Sequence, residues 1–202
     1  MQRSLVCLGF VCTLVLLAGC AGSPPVKYYT LAATITGTEA VPGLVPVQVA
    51  DVMLPEYLGR SPIVVRNDPV VVSFSDLQRW AAPLDSEIQR TISANLSAHF
   101  GSPVDSTEAC LLYVMVDQFE PSMDGLVVLQ VRWTLEGVNR VVLASESRAK
   151  RYTAQADAET YEASVAAMSR VLQELSDDIA AAYVVAQGGG PPAAGDAAPD
   201  SN

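Results

Sequence analysis

The chain has 202 residues, half of them apolar, with 22 acidic residues against 12 basic ones and a formal net charge of −10. That balance argues against a nucleic-acid-binding face, and no polybasic stretch is present to hold anionic lipid headgroups. Length and composition fit one domain with an ample core.

The first 19 residues read as a secretory signal peptide: Arg3, then an uncharged apolar run from Val6 to Leu17, then the small residues Ala18 and Gly19. The run is too short to span a bilayer as a helix, which takes about 20 residues. Leu17-Ala18-Gly19-Cys20 resembles the bacterial lipobox. That resemblance implies cleavage before Cys20, a diacylglyceryl group on its thiol and an acyl chain such as palmitate on the new amine. Two such chains hold a protein stably on a membrane, each buried CH₂ contributing about 0.8 kcal/mol. Ala21, in place of an aspartate, favours the outer membrane over inner-membrane retention. All 22 acidic residues and 11 of the basic ones follow the signal, so the mature chain carries about −11. Cys7 and Cys12 leave with the signal and Cys20 is taken by lipid. Only Cys110 remains, a small apolar residue expected in the core. Residues 20–27 form a lipidated end and short linker, stiffened by Pro24-Pro25; seven residues reach at most about 25 Å.

The domain is expected over residues 28–187. "KYYTL" predicts a short strand, and Leu44–Leu54 alternates with Val45, Val47, Val49 and Asp51 on one side. "IVVR" and "VVVSF" predict two more strands about the turn Asn67-Asp68-Pro69. Leu84, Ile88, Ile92, Leu96 and Phe100 recur every four residues, which predicts a helix opened by Pro83 and closed by Gly101, with Asp85, Glu87, Gln89 and Arg90 facing elsewhere. Three strand-like runs follow, "CLLYVMVDQFE", "VVLQVRWTLE" and "RVVLASESRAKRYTA", joined by short turns into an antiparallel meander. A long amphipathic helix from Tyr161 to Tyr183, with Asp157 as its expected cap, ends the domain. Gly188–Asn202 is rich in Gly, Pro and Ala and is expected to be a disordered tail. The fold class is therefore α/β: one domain, a mixed and largely antiparallel sheet, two amphipathic helices packed on it.

Catalytic patterns are missing. The only histidine, His99, sits in the last turn of the first helix, where the helix dipole favours it. No HExxH, CxxC, GxSxG or glycine-rich phosphate loop occurs. Asp117, Glu120 and Asp124 lie close in sequence, but their spacing matches no EF-hand loop, so no metal is assigned. Two stretches rise above background: Leu54–Arg66, with Tyr57 and Leu58 between prolines, and Arg79–Leu96, with Trp80 ahead of the helix. Their aromatics either close over a core edge or form an exposed binding rim.

"YYTL" soon after the cysteine, "VPVQVADVMLPEYLGRSPIVVR" and "RWAAPLDSEIQRTISANL" together resemble the ABC-type transport auxiliary lipoproteins, the PqiC-like family. The likeness runs from about Lys27 to the final helix. Ser61-Pro62 and Ala82 depart from the family pattern. The resemblance implies a non-enzymatic accessory, without cofactor, on the periplasmic face of the outer membrane. Its partner would be an MCE-domain protein of an ABC-type lipid transporter, and it would work as a homo-oligomer. Leu54, Pro55, Tyr57, Leu58 and Arg60, with Trp80, Pro83 and Leu84, are the candidate partner-binding residues. The alternative reading is a lipoprotein that regulates or scaffolds cell-wall machinery.

Overall fold

The computed structural model describes residues 24–34, 43–102 and 109–188. The expected signal peptide, Cys20 and, beyond residue 188, the expected tail lie outside the described residues. The elements run β1 (Lys27–Tyr29), β2 (Val47–Met53), β3 (Pro62–Asp68), β4 (Val71–Trp80), α1 (Leu84–Phe100), β5 (Cys110–Pro121), β6 (Leu126–Glu136), β7 (Val142–Gln155) and α2 (Tyr161–Ala186). The chain is an α/β domain with two helices on mixed β structure, as expected. The strands form two sheets rather than one. A three-stranded sheet has the order β1-β4-β3 and a four-stranded one the order β2-β5-β6-β7. β1 runs parallel to β4 and β2 parallel to β5; all other pairs are antiparallel, including the β5-β6-β7 meander. Among the described residues one isolated bridge, Arg66 to Ser122, links the sheets.

The apolar stripe of α1 is the one its spacing predicts: Leu84, Ile88, Ile92, Leu96 and Phe100 are all buried. Each buried side chain of this size contributes about 1.5–3 kcal/mol. Pro83 is the N-cap and Leu84 the first helical residue. Gly101 ends the helix at φ 76°, a conformation that costs other residues a clash between Cβ and the carbonyl. Glu87 is the exception on this helix: expected to face elsewhere, it is buried, because it lies three residues after Leu84 on the same face. α2 buries Val165, Met168, Leu172, Leu175, Ile179 and Tyr183. Its cap is Thr160, whose hydroxyl accepts from the Ala163 N–H at 3.2 Å; Asp157 instead pairs with Arg170.

β2 departs from its sequence pattern in an instructive way. Strict alternation would send Asp51 inward with Val47 and Val49. A bulge between Val49 and Asp51 in the pairing with β5 resets the side, so Val52 is buried and Asp51 exposed. β5 is apolar on both faces by sequence, yet alternates in burial from Cys110 to Val116, because helices cover only one face of its sheet. The outer edge of β2 is closed by α1: Gln89 Nε2 donates to the Val49 carbonyl at 2.9 Å.

Candidate docking site

After Met53 the chain folds through two overlapping turns, with Leu58 N donating to Pro55 O at 3.0 Å and Gly59 N to Glu56 O at 3.2 Å. These turns drive Leu58 into the core and leave Arg60 exposed, its guanidinium 5.1 Å above the Phe74 ring. Trp80 N donates to Ser61 O at 2.8 Å and Ala81 N to Tyr29 O at 2.8 Å, so the loop, the end of β4 and the end of β1 meet at one place. Of the two readings of these aromatics, closure over a core edge holds, and the exposure expected of Leu58, Trp80 and Leu84 as partner-binding residues is corrected here. Trp80 is only 4% exposed, and Leu58 and Leu84 are equally part of the core. Leu54 and Tyr57 pack partly buried against it. Pro55 is half-buried, and only Arg60 and Pro83 are exposed. The physical reason is that a small three-stranded sheet needs large side chains from its own connections to seal it against the helices.

Beneath the loop lies a charged node that spans both sheets. The Glu120 side chain, wholly buried, accepts from Tyr57 Oη at 3.1 Å and Arg66 Nε at 2.6 Å, and from its neighbour Phe119 N at 3.1 Å. Burial first, and then the nearby carboxylate, pushes the Tyr57 hydroxyl up to about 12, so it stays a donor at physiological pH. A cleft of about 770 Å³ opens beside this node, lined by Arg66, Asp117, Glu120, Asp124, Val128 and Arg151. A second node fastens the chain entry. Glu87 Oε2 accepts from Thr30 Oγ1 at 2.7 Å, Leu31 N at 3.0 Å and Arg90 at 2.6 Å. Burial raises the Glu87 carboxyl, but these bonds outweigh it and hold the group below its ordinary value of 4.5. Ala32 N donates to Ser169 Oγ on α2, and Lys27 pairs with Glu162 at 2.9 Å.

The sequence pattern of the family described as ABC-type transport auxiliary lipoprotein component matches residues 29–180, from the end of β1 into the last turns of α2. The chain belongs to that family. It is similar to the intermembrane transport lipoprotein PqiC of Escherichia coli (strain K12) and of Shigella flexneri. Each is 30% identical over 135 residues, covering 62% of this chain and 72% of the relative. Protein XCC0632 of Xanthomonas campestris, 17% identical, superposes with a TM-score of 0.65 over 80% of this chain and 97% of its own. An uncharacterized protein, 23% identical, gives 0.64 over 78% and 97%. At these identities the two structures share the fold. The chain is thus an auxiliary lipoprotein of ABC-type transport.

Within this family member the remaining sequence candidates are accounted for by packing. Cys110 is buried, its sulfur 3.3 Å from Tyr183 Oη. His99 sits in the last turn of α1 with Nε2 3.0 Å from Asp177. Asp117 pairs with Arg132, and Asp124 accepts from Ser122 and from Leu126 N. Among the described residues no group of three metal-ligating side chains converges and no helix is long and apolar enough to cross a membrane. Arg66, Glu120 and Glu87 are what sequence reading missed. For Glu87 a signal existed, a charge on the apolar stripe of a helix; Arg66 and Glu120 lie 54 residues apart on different sheets, and nothing local joins them.

Proposed function

We propose that the chain is held on the periplasmic face of the outer membrane by acyl chains on Cys20, and that it docks an MCE-domain protein of an ABC-type lipid transporter there, as a homo-oligomer. The observation that carries this reading is the short, pinned entry. β1 begins seven residues after Cys20 and is fixed to both helices through Lys27, Thr30, Leu31 and Ala32. A domain tethered with so little slack works at its membrane. Family membership and the name of the PqiC relatives support a transport role.

The contact surface in this reading is built from the exposed Pro83 and the exposed Arg60 on Phe74, with half-buried Pro55 beside them. Leu54, Tyr57, Leu58, Trp80 and Leu84 serve by holding that surface in shape. The test is a pull-down from detergent-solubilised envelopes after mild crosslinking. Native chain should recover an MCE-domain protein or its permease, and Cys20→Ser should lose it. Recovery of cell-wall synthases alone would favour the scaffold reading. Arg60→Glu should cut recovery of the transport partner severalfold while shifting the melting temperature by no more than about 2 °C, as an exposed substitution does.

A further inference from the structure

We infer that the tip of the β3–β4 hairpin, together with the β5–β6 turn, rests in the lipid surface beside the anchor; this builds on the proposed acylation of Cys20. Val70 is 88% exposed and Val71 48% at the hairpin tip, and Met123 is 68% exposed on the neighbouring turn. The turns are adjacent, since Met123 N donates to Arg66 O at 3.3 Å. Exposed aliphatics are ordinary, and Val138, Val141 and Val142 are exposed at the opposite end too, so it is position relative to the anchor that singles out these three.

What brings lipid to that end is the direction of β1. It pairs in parallel with β4, Lys27 opposite Gln78, so the chain before Lys27 departs toward the hairpin tip. From Gln78 back to Val71 is seven residues, and from Lys27 back to Cys20 is also seven. At about 3.3 Å per residue both distances are about 23 Å. The tip therefore reaches as far toward the membrane as a fully extended linker does, and any less extended linker draws it further in. Tyr28, 66% exposed on the same strand, is a side chain suited to the headgroup layer. Asp68 and Asp124 collar the tip, each accepting a bond from its own turn. On an acidic chain they limit the contact to a shallow one with zwitterionic lipid. The Leu54–Arg60 loop lies at the other end of the three-stranded sheet, where Pro62 pairs with Arg79, and so faces away from the membrane.

The test uses the full acylated chain on vesicles of phosphatidylethanolamine and phosphatidylcholine, with part of the phosphatidylcholine brominated on its acyl chains. Val70→Trp reports the tip. Val138→Trp reports the β6–β7 turn, at the opposite end of the β5–β6 ladder. The native chain, with Trp80 and Trp133 buried, sets the baseline. A side chain seated at interfacial depth should lose at least about half its added emission to bromine and shift to the blue, with Val138→Trp unaffected. A chain that floats with the vesicles but shows no quenching at position 70 overturns the inference and leaves the anchor standing; a blue shift without quenching would mean that a second copy or another protein covers the tip. Equal quenching at both positions also overturns it. A chain that fails to float overturns the anchor and this contact together.

Discussion

Trp80 shows how differently one residue reads in one dimension and in three. Just ahead of a helix it has the character of a binding aromatic; at the end of β4, tied to the loop through Ser61 O, its side chain is part of the core. Trp80→Ala should therefore destabilise the domain by about 3–5 kcal/mol in urea denaturation, the cost of a large cavity. The Glu120 node makes a sharper case. Arg66→Met leaves the buried Glu120 side chain without its cation, and should cost about 3–5 kcal/mol. Adding Glu120→Leu should restore part of that loss, because the pair's desolvation is then relieved along with its attraction. If the double variant is no better than Arg66→Met, the cost lies in packing rather than charge.

At the scale of elements, α1 is positioned by its ends and by one inward carboxylate. Gly101→Ala should lose about 1–2 kcal/mol, because the φ of 76° is strained for any residue with a Cβ. Glu87 links α1 to the entry strand and makes that link sensitive to pH. Its folded value lies below the ordinary 4.5, so its contribution is complete above that pH and is lost as the pH falls through the folded value. Glu87→Gln should lower stability at neutral pH and flatten its fall below about pH 4.5, as measured by thermal melts across pH 3–7. Between the helices, Asn95 Nδ2 donates to Ser176 Oγ at 3.3 Å, with both residues buried. A hydrogen bond there is directional, which apolar packing is not, and so selects one register of α1 on α2.

For the whole molecule, the N-terminal segment is a structural part and not merely a tether. Leu31 is in the core, and the bonds at Thr30, Leu31 and Ala32 tie it to both helices. A chain starting at Ala33 should lose its cooperative melting transition by circular dichroism, whereas Cys20→Ser should melt as the native domain does. If both melt alike, the entry strand is dispensable and the argument for a short, taut tether fails with it.

Most of the order of elements was legible from periodicity: the four-residue spacing of α1 and α2 and the alternation of β6 survive because burial on one face is what produces them. The fold class followed, since amphipathic helices and half-apolar strands have few ways to bury their faces. The lipobox needs no fold to be read, since it is a short contiguous pattern. Tertiary structure alone decided the division into two sheets, the bulge that turned Val52 inward, the burial of Leu58 and Trp80, and the meeting of Tyr57, Arg66 and Glu120. Each of these depends on which distant segments become neighbours. Local patterns record how often a face is buried, but not what buries it.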